Sequence, residues 1–345
     1  MPTREFLVNA STRHSVFLQK YANGRAKEAQ RLLGRLRREI LGRLAQEPTE
    51  FRKARLHTLL VDIDQLSKNF LSELSSQVNV EAQLFAVQES EFAVKLMDKV
   101  TKADTSFILP SSNQLSAAVL DTPMDKALTG SKITIQDALN EFGKKKAKEV
   151  AQIVKDGSVL GDTTKEISDK VGTVINTLQR RQISSLVHTI SSHTASMARL
   201  ATYEANSDIV DKYEYVATLD NRTTLECAGY DGQIFTVGAG PLPPIHWSCR
   251  STTIPVVPDE YTLAKGFKGT RPSVGAEGAK QVSGKTDYGK WLKTQPKPFI
   301  DDALGVERSK LFRSGKLKIG QFVNNSGETL TLKQLSRKYD LSLFD

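Results

Sequence analysis

The sequence predicts an α+β protein in which helix dominates, and three observations carry that expectation. Apolar residues recur every three or four positions through two long N-terminal stretches and again over residues 177–206. Strict apolar/polar alternation is confined to a short middle region, 213–257. Between these stretches lie breaker-rich segments of the kind that connect elements. The expected architecture is a long N-terminal helical hairpin, a central helical domain with a small β unit, and a short C-terminal segment.

In chain order, Ser11 is the natural cap of a first helix reaching about Gln46, with Leu32, Leu36, Ile40 and Leu44 on its apolar face. A second helix is expected over 50–102, striped by Leu59, Ile63, Leu66, Phe70, Leu74 and Val78. Joined by the short "EPTE" loop, the two make an αα-hairpin over 1–103. Residues 104–134, with "ILPSSN", "DTP" and "LTGSK", are expected to be an irregular connection. A core domain over 135–260 then starts with a helix stopping near Asp156-Gly157, followed by a short helix capped by Asp162 or Thr163. In the helix over 177–206, His193 shares a face with Leu186, Ile190, Met197 and Leu200, so it is expected to be a hydrogen-bonded core histidine.

Three strands follow. "YEYVATLD" (213–220) alternates, "DGQIFTV" (231–237) is led by an Asp-Gly turn, and "STTIPVV" (251–257) contains Pro255, which confines it to an edge or a bulge. Residues 261–287 are rich in Gly, Lys and Ser and suggest a flexible linker. Residues 288–345 carry Trp291, Phe299, Leu304, Leu311 and Phe312. That is too little for an independent core, so this segment is expected to dock on the main body.

The chain has a net charge of +9, and residues 1–60 hold 13 lysines and arginines against 5 acidic residues. An acidic partner is the implied use of that asymmetry, with Arg31, Arg35, Arg38 and Arg43 as candidate contacts to DNA or to a protein partner. An exposed basic face serving solubility alone is the plainer reading. No stretch approaches the ~20 apolar residues that span a bilayer, so no membrane role is expected. "MPTREFLVNAS" has no apolar h-region, and folding in a reducing cytoplasm is the expectation. Phosphate-binding loops, paired-carboxylate signatures and HExxH are absent.

Chemistry concentrates in one place. The two cysteines, Cys227 and Cys249, bracket His246: eighteen residues separate Cys227 from His246, and two separate His246 from Cys249. Four uses are open. Thiolate and imidazole are zinc ligands, and a fourth ligand could come from Asp220 or Asp231. A disulfide would close a loop of about 20 residues, worth about 3 kcal/mol, but conflicts with a reducing compartment. A Cys–His catalytic dyad needs an orienting third group. In the plainest reading the thiols serve only as small buried apolar groups, with His246 capping a turn.

The same residues carry a resemblance. "TLDNRTTLECAGYDGQIF" and "PPIHWSCRSTTIPV" resemble the signature of the Mu F-like minor head proteins of tailed phages. The matching positions are Asp220, Arg222, Thr223, Cys227, Asp231, Gly232 and Phe235, then Pro243, Pro244, His246, Cys249 and Arg250. Many members read Cys-Arg-Cys at the end and carry another Cys or His near the start, where this chain has Ser251 and Thr223 or Thr224. "YGKWLKTQP" and "LGVERSKLF" are similar to the family's C-terminal part, so the resemblance spans about 137–340.

The resemblance implies a low-copy virion component with no enzymatic activity. It would associate with the portal protein, and with capsid or scaffold protein, during head assembly in the host cytoplasm, and would affect packaged DNA on ejection. In that reading the Cys/His cluster pins the proline loop onto the β unit, through zinc or through packing. The competing reading is a metal-dependent nuclease or nucleic-acid-binding protein using the same cluster.

Overall fold

Two helices of 44 and 46 residues, α1 (Pro2–Ala45) and α2 (Lys53–Asp98), form the expected antiparallel hairpin. The computed structural model describes residues 2–46, 53–124, 132–263, 268–324 and 327–341. Facing charges follow the antiparallel run: Arg25 pairs with Glu81, Arg35 with Glu73 and Arg43 with Asp62. Within the α2 stripe Leu59, Ile63, Phe70 and Leu74 are buried, and Leu66 and Val78 pack against them.

Helix α1 starts nine residues before the expected cap at Ser11, which lies buried inside the helix. The extra turns gain tertiary support that sequence reading cannot see. Leu7 and Val8 pack with Met97, Val100 and Tyr213, while Asn9 bonds to Thr270.

The expected irregular connection contains a helix, α3 (Ser112–Leu120), opened by a capping box in which Ser111 and Gln114 bond each other's backbone. Helix α4 (Ile135–Leu160) runs past Asp156-Gly157 and stops at Gly161, whose φ of 76° gives it a left-handed C-cap. Thr163 caps α5 (Thr164–Val174). One π-turn at Ile175–Gln179 joins it to α6 (Arg180–Glu204), so the rod is helical from 164 to 204. Helices α1 to α6 share one apolar core, with Leu33, Ile40, Ile63, Leu139, Val171 and Ile183 among its most buried members. His193 is 1% exposed inside it, and its Nε2 bonds the Val119 carbonyl at 3.1 Å, tying the end of α3 to α6.

The expected strand over 213–220 divides between two sheets. β1 (Lys212–Val216) is the centre of an antiparallel sheet, flanked by β3 (Ile234–Thr236) and β4 (Thr252–Val256). Pro255 accordingly sits on an edge strand, as its missing N–H requires. β2 (Leu219–Asp220) pairs in parallel with β5 (Thr270–Gly275), which pairs antiparallel with β6 (Gly278–Ser283). The stretch expected to be a linker therefore holds a β-hairpin. Its inward residues, Arg271 and Ser273, are polar, and that removed the apolar signal.

Between β2 and β3 lies α7 (Leu225–Tyr230). The C-terminal part carries α8 (Tyr288–Lys293), α9 (Lys297–Leu304), α10 (Val306–Arg313), a 3-10 turn at Ile319–Phe322 and α11 (Leu332–Tyr339). It docks as expected: Trp291, Ile300, Phe312 and Phe322 share a buried cluster with Leu219 and Ala228. Among the described residues no helix is long and apolar enough to cross a membrane.

Candidate metal centre

Three elements deliver the cluster. Thr224 caps α7 through the Cys227 N–H, fixing Cys227 on the buried side of that short helix. The proline-rich loop 241–250 brings in His246 and Cys249, and β1 supplies Tyr215 from beneath. The Pro243–Pro244 peptide within that loop is cis. Both cysteines are buried and free.

The donor atoms of Cys227, His246 and Cys249 all lie within 4.8 Å of one another. The two sulfurs are 3.7 Å apart, and Cys227 Sγ is 3.2 Å from His246 Nε2. A disulfide requires about 2.05 Å, so the thiols are not bonded here. A tetrahedral zinc with Zn–S near 2.3 Å and Zn–N near 2.05 Å sets S···S at about 3.8 Å and S···N at about 3.5 Å. The sulfur pair already has that spacing, and the imidazole is a few tenths of an ångström too close.

The imidazole is oriented for ligation. Its Nδ1 donates to the Trp247 carbonyl at 3.0 Å, which leaves the Nε2 lone pair facing the sulfurs in the neutral ring. The two thiols respond oppositely to their surroundings. Burial pushes Cys227 well above the usual thiol range. Burial also opposes ionising Cys249, but hydrogen bonds from Cys227 and His246 and the imidazolium charge outweigh it and hold that thiol well below its ordinary value. Burial opposes protonating His246, but the Cys249 thiolate outweighs it and raises that ring, so the metal-free pair is a thiolate and an imidazolium, and a cation would displace the Nε2 proton to take both as ligands.

The fourth position is informative. Asp220 does not reach the cluster: its carboxylate takes a bidentate pair from Arg250 and bonds the Thr223 hydroxyl and the Arg222 N–H at 3.1 Å each. Asp231 is also committed elsewhere. It accepts two bonds from Arg271, at 2.6 and 3.0 Å, and one each from the Ala217 and Tyr288 N–H groups. Both aspartates expected as candidate ligands are thus structural clamps. What does meet the cluster is Ser251, whose hydroxyl bonds the Cys227 side chain and whose backbone bonds that of Cys249. The Tyr215 hydroxyl lies 3.2 Å from Cys227 Sγ.

The other motif positions serve the same frame. Gly232 has a φ of 82°, which a side chain would strain, and its N–H bonds Tyr215 O at 2.8 Å. The Arg222 side chain is three-quarters exposed. Pro244 is buried and Phe235 half-buried. Arg271, the partner of Asp231, was not singled out from sequence; it lies 40 residues away in the Gly/Lys-rich stretch, and no spacing rule links the two.

Of the four N-terminal arginines, Arg35 and Arg43 are engaged by carboxylates of α2, while Arg31 and Arg38 are exposed on another part of α1. The cluster and the arginines occupy separate parts of the chain.

Residues 145–254 match the model of the family described as Phage Mu protein F like protein, and this stretch of the chain is Mu F-like. It contains Cys227, His246 and Cys249 together with Asp220, Asp231 and Arg250, and ends before Arg271. No curated protein and no solved structure matches the chain.

Proposed function

We propose that this chain, Mu F-like over residues 145–254, is a minor head protein of a tailed bacteriophage that acts by binding. In this reading it associates with the portal and the capsid interior during head assembly and influences packaging or ejection of DNA. The family match is the observation that carries it, and two features of the molecule support it. The six-helix core and the two sheets provide a stiff body with polar pairs clamping its loops. Both motif aspartates work in those clamps rather than presenting a reactive group.

Zinc is the ligand we assign to the cluster. Cys227, His246 and Cys249 would hold it, with the Ser251 hydroxyl or a water as fourth donor, and the ion would pin loop 241–250 to α7. Elemental analysis of purified protein is expected to give close to one zinc per chain, lost on chelation or with Cys249→Ala. A metal-free protein of unchanged stability would remove the zinc assignment and leave the thiols as packing groups.

The test of the function itself is to look for this chain in purified virions and procapsids of the source phage, then to delete its gene. Absence from both particles, or unchanged yield and DNA delivery after deletion, overturns it. In that event, metal-dependent cleavage of plasmid DNA abolished by Cys249→Ala would bring the nuclease reading forward.

A further inference from the structure

The hairpin sorts the N-terminal cations into two sets, and the sorting follows helix phase. Asn23, Gln30 and Arg37 mark the seam of α1 with the α5–α6 rod. Asn23 bonds His188 at 3.0 Å, Gln30 bonds Ser184 at 2.6 Å, and Arg37 lies against Gly172. At 3.6 residues per turn these three positions fall within about 40° of one another. Arg25, Arg35 and Arg43 project toward the α2 side, where each meets a carboxylate.

The second set comprises Arg13, Lys20, Lys27, Arg31 and Arg38. By the same phase they project about 60–100° from the middle of the seam, on its solvent side. All five are exposed, and among the described residues they form no salt bridge. The only acidic residues of α1 beyond Arg13, Glu28 and Glu39, lie toward the α2 side. The five cations therefore make a band of one sign about 38 Å long, at 1.5 Å per residue.

Across the seam the band faces a groove of about 500 Å³ lined only by polar and basic side chains, among them Gln30, Arg180, Arg181, Ser184 and His188. No carboxylate lines it. Arg180 and Arg181 are exposed, stand at the first turn of α6 directly after the π-turn, and also form no salt bridge among the described residues.

We propose that this band and the Arg180/Arg181 groove together form a phosphate-tracking surface for double-stranded nucleic acid, and that Arg35 and Arg43 are not part of it. The length matches about one turn of B-form duplex, roughly 34 Å, and cations about 6–10 Å apart along α1 are far enough apart for each to neutralise a separate phosphate. The contacts are with the backbone, so binding is independent of sequence. The inference rests on the head-protein reading only for identifying the nucleic acid as packaged DNA; the surface itself stands on charge and geometry.

The experiment uses the full chain and a fluorescent duplex of random sequence, titrated at several salt concentrations. Binding is expected to weaken with a log–log slope of about −4.5 to −6.3, for five to seven phosphates at about −0.9 each. Arg180→Gln with Arg181→Gln, and separately Arg31→Gln with Arg38→Gln, are each expected to make that slope shallower by about 1–2 and to weaken binding roughly ten- to sixty-fold near 0.1 M salt. Arg35→Gln with Arg43→Gln is expected to leave the slope unchanged. An equal effect from that control pair would show diffuse attraction rather than a surface, and would overturn the proposal. So would no DNA affinity at low salt, or tighter binding of the same residues to vesicles of anionic lipid or to an acidic protein. Incorporation into particles is read separately: a chain that enters virions but does not bind DNA refutes this inference and leaves the proposed function standing.

Discussion

Replacing Asp231 by Asn should be the most damaging single change at the motif. Asp231 and Arg271 are each 1% exposed at the side chain, and the carboxylate accepts four hydrogen bonds from three separate segments. Asparagine preserves the shape but removes the charge, and it turns an amide N–H₂ toward a site where only donors point. Arg271 would remain buried with no direct ion-pair partner: its other hydrogen bonds go to the Ala217 and Thr286 carbonyls, and Asp287 acts on it only through space. Breaking a buried pair from one side costs about 3–5 kcal/mol, a fifth or more of the ~5–15 kcal/mol that holds a typical domain together. The assay is a urea titration followed by tryptophan emission in a Trp247→Phe background. The chain has two tryptophans, so the signal then comes from buried Trp291, three residues beyond the Tyr288 N–H that Asp231 holds. Arg271→Met should cost a similar amount. Asp231→Leu with Arg271→Met should cost clearly less than the two single changes added together, because no lone charge remains. A loss below about 1 kcal/mol for Asp231→Asn, or strict additivity of the pair, would refute the clamp.

Further expectations follow from the same contacts. Ser251→Cys places a thiol where a hydroxyl now bonds the Cys227 side chain, and should tighten zinc retention against a competing chelator; weaker retention would remove Ser251 from the fourth position. Burial lowers His193 to about 4, so the neutral ring favours the folded state. Its contribution, roughly 3 kcal/mol, is full above about pH 6.5 and is lost as pH falls through 4, and the stability–pH slope of His193→Asn should be flatter in that window than that of the wild type. A Cβ at Gly269 would overlap the Glu5 carbonyl, so Gly269→Ala should lower stability by about 1–3 kcal/mol in thermal unfolding; an unchanged midpoint would show that α1 and β5 are free to separate.

Much of the helical frame was legible because its signal is periodic. The stripe from Leu59 to Val78 and the His193 face needed only spacing, and Pro255 announced an edge strand through its missing donor. The meeting of Cys227, His246 and Cys249 was legible because soft ligands are scarce in this chain. Asp220 as a ligand was not refutable from sequence, since nothing in the spacing shows that Arg250 already holds it. The β5–β6 hairpin was hidden because its inward face is built from a guanidinium and a hydroxyl rather than from apolar side chains. Helix α3 was missed because Leu115 and Val119 are its only fully buried residues, too short a repeat to stand out from the breakers around it.

The attachment of the N-terminal turns to the β-hairpin sets a timetable for synthesis. Arg4 bonds the Gly284 carbonyl across 280 residues and grips Glu214 across 210. At ~5–20 residues per second a ribosome takes roughly 15–55 s to reach the later partner. Until then the opening turns of α1 have only their apolar contacts with Met97 and Val100 and lack the polar partners Glu214, Thr270 and Gly284, while the middle of the helix can already pack fully on α2. A nascent chain of this protein should consequently protect its first dozen residues from protease last, after hundreds of later residues have folded.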